Sequence, residues 1–145
     1  MKKEVINSSL FMEEELIHFQ EGLFGFEEYK TFLPLPVEED SDAVLCLQST
    51  ENTDLSFIIM NPFYLKEDYR PELSLADYKN LGTEDAGVLS FYVICVIGTL
   101  SEKSTVNLKC PIVVNTESRQ AVQVILASEE YRMRHALSEF QKKGD

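Results

Sequence analysis

Five apolar runs of five to twelve residues recur along this chain: AVLCLQS (Ala43–Ser49), LSFIIMN (Leu55–Asn61), GVLSFYVICVIG (Gly87–Gly98), PIVVN (Pro111–Asn115) and QAVQVILA (Gln120–Ala127). Each is rich in Val, Ile, Phe or Tyr, side chains that fit a pleated, half-buried surface better than a helix. In the last run Val122, Val124 and Leu126 alternate with Gln123 and Ile125, the period of a strand with one buried face. Asn52-Thr53-Asp54 sits between the first two runs as a hairpin turn or tight loop. Two weaker strands are expected near Glu4–Ser8 and Glu14–Phe19. Strands spaced this way leave no room for βαβ crossovers. They favour antiparallel sheets closed into a barrel or a compact sandwich.

Helices are few. SEEYRMRHALSEF offers Ser128 as an N-cap, Glu129 and Glu130 in a first turn, and Met133, Leu137 and Phe140 at i, i+4, i+7. A C-terminal helix stopped by Gly144 is the expectation. SLADYKNLG (Ser74–Gly82) and FEEYKTF (Phe26–Phe32) are each candidates for a short helix. The fold class expected is therefore all-β dominated: a compact antiparallel β-barrel-like domain with a few short helices and a C-terminal helix. With 145 residues and 44% hydrophobic content the chain suits one domain, 1–145, with a real core. It shows neither internal repeat nor linker. VEEDSDA (Val37–Ala43) reads as an acidic surface loop.

Charge narrows the function classes. The net charge is −12, and residues 1–80 hold 17 acidic against 6 basic side chains, a net of −11. Such a field repels phosphate backbones, so direct nucleic-acid binding is not expected. It favours a basic protein partner, although acidity also serves solubility alone. No apolar run approaches the roughly 18 residues a spanning helix needs. The basic start of the chain leads to glutamates rather than an apolar signal region, so neither membrane nor secretion is expected, and the location expected is cytoplasmic. Cys46, Cys95 and Cys110 are odd in number and far apart, without CxxC spacing. Cys46 and Cys95, inside apolar strand-like runs, read as buried inert thiols, and the set gives neither a disulfide framework nor a zinc site. His18 and His135 are not spaced as a metal pair, and the acidic runs lack the glycine and spacing of a calcium loop. No nucleophile motif accompanies either histidine. No cofactor, metal or catalytic residue is called.

HFQEGLFGFEEY (His18–Tyr29) is the stretch most suggestive of a ligand. A dinucleotide loop needs a third glycine and a following helix, and a Walker loop needs Gly-Lys-Ser/Thr; both are missing. A GXXG nucleic-acid clamp is opposed by Glu21, Glu27 and Glu28. The structural reading is that Gly22 and Gly25 supply positive φ at a strand exit, with Leu23, Phe24 and Phe26 pinning the turn to the core.

The ordered motifs add more. IHFQEGLFGFEEY, LQS (Leu47–Ser49), SFIIMNPF (Ser56–Phe63), EDYRPEL (Glu67–Leu73), TVNLKCPIVVN (Thr105–Asn115), QVIL (Gln123–Leu126) and Tyr131 follow one another as in the flagellar assembly factor FliW family, which this chain resembles over nearly its whole length. Cys110 stands where a small residue such as alanine or glycine is expected. The resemblance implies a non-enzymatic, chaperone-like bacterial protein of the flagellum-building apparatus, with a β-barrel-like fold. It implies binding to flagellin before export, and to the carbon storage regulator CsrA, a dimeric RNA-binding translational repressor.

From local composition, the CsrA contact is expected to be acidic and to draw on Glu21, Glu67, Asp68 and Glu72. The flagellin contact is expected near Phe63, Tyr64 and Tyr69 as exposed apolar groups. Gly22, Gly25, Phe26, Asn107, Pro111 and Asn115 are expected to be structural, since glycine, proline and strand-end asparagine usually serve turns. Two alternatives stay open on the residues alone. One is a small acidic β-barrel enzyme or ligand-binding domain whose pocket no motif marks. The other is an antagonist of a different nucleic-acid-binding protein.

Overall fold

Strand order explains the apolar runs. The computed structural model describes residues 3–6, 9–38, 41, 43–98 and 104–140, through residue 11 as backbone alone. Strands β1 (Lys3–Ile6) and β2 (Ser9–Met12) form a separate antiparallel hairpin. The others are β3 (Ile17–Phe19), β4 (Thr31–Pro36), β5 (Val44–Ser49), β6 (Ser56–Met60), β7 (Leu89–Val96), β8 (Thr105–Val106), β9 (Ile112–Asn115), β10 (Gln120–Gln123) and β11 (His135–Ala136). They join in the order β11-β8-β7-β6-β5-β4-β3-β10-β9, and a β7–β9 pairing closes seven of them into a barrel. All pairings in this sheet are antiparallel except β10 on β3. The long β7 makes closure possible: residues 89–92 pair with β9, while 95–96 pair with β8.

Side-chain alternation builds two cores. Leu45, Leu47, Ile59, Ile112 and Ile94 point into the barrel with Phe19, Leu23 and Phe32. The opposite faces of β6, β7 and β9 carry Ile58, Phe91, Val93, Cys95 and Val113 outward into a second cluster. That outer cluster is roofed by residues 62–81 and 124–140. Helix α1 (Pro62–Leu65) starts at Asn61, whose side chain accepts the Phe63 N–H at 3.0 Å, with Pro62 in the first turn. Helix α2 (Leu75–Leu81) carries the capping box that SLADYKNLG promises: Ser74 accepts from the Asp77 N–H, and Asp77 accepts from the Ser74 N–H. Cys95 and Cys110 are buried, and burial raises both thiols above their ordinary value, whereas Cys46, expected to be buried, is only half-buried.

Three expectations are corrected. No α-helix spans 128–140; a turn, β11 and a 3-10 turn (Leu137–Phe140) stand there instead. The backbone is committed elsewhere: Val124 and Leu126 donate to Pro111 and Lys109, Arg132 accepts from Lys109, and Leu137 donates to Ser104. Ser128 does accept a local N–H, that of Glu130, without a helix following. His135 locks the turn: its Nε2 accepts the Arg132 N–H at 2.8 Å. FEEYKTF is not a helix either; its end enters β4. Finally, the strand expected over 14–19 begins only at Ile17, after a 3-10 turn at Glu13–Glu15. Residues 7–8, 39–40, 42 and 144, which entered the expected first strand, the acidic loop and the helix stop, lie outside the described residues.

Strand β4 was not anticipated, because TFLPLP holds two prolines. Thr31 accepts from Thr50, and Val37 donates to Val44, so odd-numbered residues bond to β5 and even-numbered ones face the other way. Pro34 and Pro36 therefore sit where no N–H is required. β3 pairs only with Thr31 and Phe32, so the prolines lie beyond it on an open edge.

Candidate functional site

Two of the clefts on the protein differ sharply in chemistry. The first, about 810 Å³, is lined by Asp68, Arg70, Glu72, Leu73, Ser74, Leu126, Ala127, Ser128, Glu130 and Tyr131. Its floor is anchored through two tyrosines. Tyr69 is buried, its hydroxyl donates to the Leu108 carbonyl at 2.7 Å, and its ring meets Tyr131 edge-on at 4.8 Å. The Tyr131 hydroxyl in turn accepts the Arg70 N–H at 2.8 Å. With the chain pinned at 69 and 70, the neighbouring Glu67, Asp68 and Glu72 face solvent. The sequence-distant Glu130 joins Asp68 and Glu72 in the lining, and it helps hold the Lys66 ammonium above its usual range, after the hydrogen bond that Lys66 donates to Asp68. Lys66 pairs with Asp68 at 2.9 Å, and this hydrogen bond keeps the Asp68 carboxyl below its ordinary value. The cleft thus presents carboxylates from two chain segments on a rigid base.

The second cleft, about 640 Å³, opens where β6 and β7 part. Their pairing ends at Ile58↔Cys95, leaving Ser56, Phe57, Val96 and Ile97 as walls. The GLFG corner forms its rim. Gly22 and Gly25 have φ of +73° and +88°. The Phe26 N–H donates to Leu23 at 2.8 Å, and the Gly25 N–H donates to the Glu27 carboxylate at 3.0 Å, which lowers that carboxyl's pKa. Gln123 ties the corner down, accepting from the Phe24 N–H and donating to the Cys110 carbonyl. Of the three side chains expected to pin the turn, Leu23 alone is buried. Phe24 and Phe26 are exposed by 46% and 37% and face the cleft.

The anticipated residues distribute as follows. Asp68 and Glu72 come together in the acidic cleft, while Glu67 is exposed beside Asp68 and is not part of its lining. Glu21 is exposed on the GLFG corner, whose Leu23 packs in the inner core, and it does not line the acidic cleft. Phe63 is partly exposed and packs on Phe91 and Tyr69; Tyr64 is largely exposed. Tyr69 is corrected from an exposed contact to an outer-core anchor, because its hydroxyl finds a buried carbonyl. Asn107 accepts the Cys110 N–H, Pro111 is buried and its carbonyl accepts from Val124, and Asn115 bonds Leu81, Glu117 and Ser118. Phe26 also packs edge-on against Phe57 at 5.1 Å. The apolar cleft escaped sequence reasoning, since its walls come from separate segments. The single local sign was the apolar Val96-Ile97, exposed at 63% each.

Among the described residues no helix is long and apolar enough to cross a membrane. Comparison with known proteins is consistent along the chain. A sequence model described as FliW protein matches residues 2–137. A flagellar assembly factor FliW of Caldanaerobacter subterraneus subsp. tengcongensis is 39% identical over 130 residues, covering 89% of this chain and 86% of that protein. One from Caldicellulosiruptor bescii is 35% identical over 144 residues, covering 96% and 93%. A crystal structure of the flagellar assembly factor FliW superposes with a TM-score of 0.84 at 28% identity, covering 98% of this chain and 99% of that one.

Proposed function

The chain belongs to the FliW family of flagellar assembly factors, and on that premise we propose that it is a non-enzymatic cytoplasmic factor that binds flagellin before export and antagonises the RNA-binding repressor CsrA. When unexported flagellin accumulates it occupies the factor, and CsrA is free to repress flagellin mRNA. After export the factor is released and sequesters CsrA, so that synthesis follows export.

The observation that carries the CsrA half is the acidic cleft, where Asp68 and Glu72 meet Glu130 on a floor fixed by Tyr69 and Tyr131, with the exposed Glu67 next to Asp68 in the chain. A protein that binds RNA must carry Lys and Arg for phosphates, and a rigid carboxylate face is complementary to it. Rigidity matters because carboxylates already held in place lose less entropy on docking. The test is calorimetric titration of CsrA into the wild type and into the triple variant Glu67→Lys/Asp68→Lys/Glu72→Lys, across a salt series. All three positions are exposed, so the barrel tolerates them. The variant is expected to bind at least about tenfold more weakly, with a flatter salt dependence. Unchanged affinity and salt slope would remove the acidic cleft from the mechanism.

A further inference from the structure

We propose that the apolar cleft between β6 and β7 is the docking site for an amphipathic segment that presents apolar side chains together with a carboxylate, and that Arg134 receives the carboxylate. The proposal rests on the preceding reading, in which such a segment belongs to unexported flagellin.

The cleft gathers Phe24, Phe26, Val96, Ile97 and Met133, all exposed by 37–63%, around the point where the barrel wall opens. Contiguous apolar surface of this kind, with a polar edge, marks an interaction site more often than chance exposure does. Its charge differs from the rest of the molecule. In a chain of net charge −12, no Asp or Glu among the described residues lines this cleft, and Arg134 is the one charged side chain among the described residues that do. None of the ion pairs among the described residues takes Arg134. A partner whose apolar face carries an acid finds its complement here, whereas in the acidic cleft Arg70 stands among Asp68, Glu72 and Glu130. A second copy of the chain is a poorer occupant, since a two-fold contact brings two fields of −12 together. The segment 126–134 runs between the two clefts, with Leu126–Tyr131 on one and Met133–Arg134 on the other. The two clefts therefore adjoin along this segment, so that a flagellin chain seated on one obstructs CsrA at the other.

The test uses full-length monomeric flagellin of the same bacterium, titrated into the wild type and into Met133→Glu, Ile97→Glu and Arg134→Glu, with CsrA titrated in parallel. The altered side chains are exposed, and unfolding midpoints check that the barrel is intact. The expected result is flagellin binding weakened at least about tenfold in each variant, with CsrA affinity unchanged. Wild-type binding that all three variants retain would overturn the cleft assignment and leave the flagellin reading standing. No flagellin binding by the wild type would overturn both. Self-association of the wild type in light scattering, abolished by Met133→Glu, would make a second copy the occupant and likewise overturn the proposal.

Discussion

Gly22 and Gly25 differ in a way that separates conformation from space. Both adopt left-handed backbone, which costs an L-residue about 1–2 kcal/mol. A Cβ on Gly25 meets nothing within 4 Å, whereas one on Gly22 would stand 2.6 Å from the Glu27 Cα and 2.7 Å from its carbonyl oxygen. Those are backbone atoms, which cannot rotate aside. Gly25→Ala should therefore show the conformational cost alone, offset by roughly 0.4–1 kcal/mol from the stiffer unfolded chain. A net loss of about 1 kcal/mol is expected. Gly22→Ala adds the overpacking cost of about 1–3 kcal/mol, for a total of about 2–4. Urea unfolding with linear extrapolation measures both on one scale. Equal losses, or a larger loss at Gly25, would refute the reading of this corner as a backbone-to-backbone contact.

Tyr69→Phe removes the hydroxyl that reaches the Leu108 carbonyl; stability should fall by about 1–2 kcal/mol in urea unfolding. Asn115→Ala removes one donor bond to the Leu81 carbonyl and the acceptor of the Glu117 and Ser118 N–H groups; a loss of about 2–4 kcal/mol is expected. Glu139 gives a pH signature. Burial pushes its carboxyl up, but hydrogen bonds from His135 and the Ala136 N–H, with the charge of Arg132, outweigh this and hold it below the ordinary carboxylate value. A depressed folded pKa contributes stability above the ordinary value that is lost as pH falls through the folded one. Glu139→Gln should therefore flatten the decline in stability below about pH 4.5, read from unfolding midpoints across pH.

What the sequence revealed follows from how locally each feature is encoded. The strands β5, β6, β7, β9 and β10 were legible because Val, Ile and Phe concentrate where both cores need them. The Ser74 cap of α2 was legible because its partner Asp77 lies three residues away. β4 was hidden by Pro34 and Pro36, which are tolerated through an edge that only the three-dimensional pairing shows. The C-terminal segment misled because Met133, Leu137 and Phe140 have helical spacing, while its backbone bonds go to 104 and 109–111. Arg119 is a similar case. It stands at φ +66°, and its guanidinium reaches the Glu15 and Leu16 carbonyls beside the parallel β10–β3 pair, a role no motif announces. Of the acidic face, the part within 67–72 was readable; Glu130 was not, because the fold alone brings it there.

The central claim is the exchange of partners, and a competition titration tests it most directly. CsrA of the same bacterium is titrated into the free protein, then into protein saturated with flagellin. Binding in the first titration and its loss in the second is the predicted result. Equal CsrA binding in both would contradict the switch and leave an antagonist that flagellin does not control.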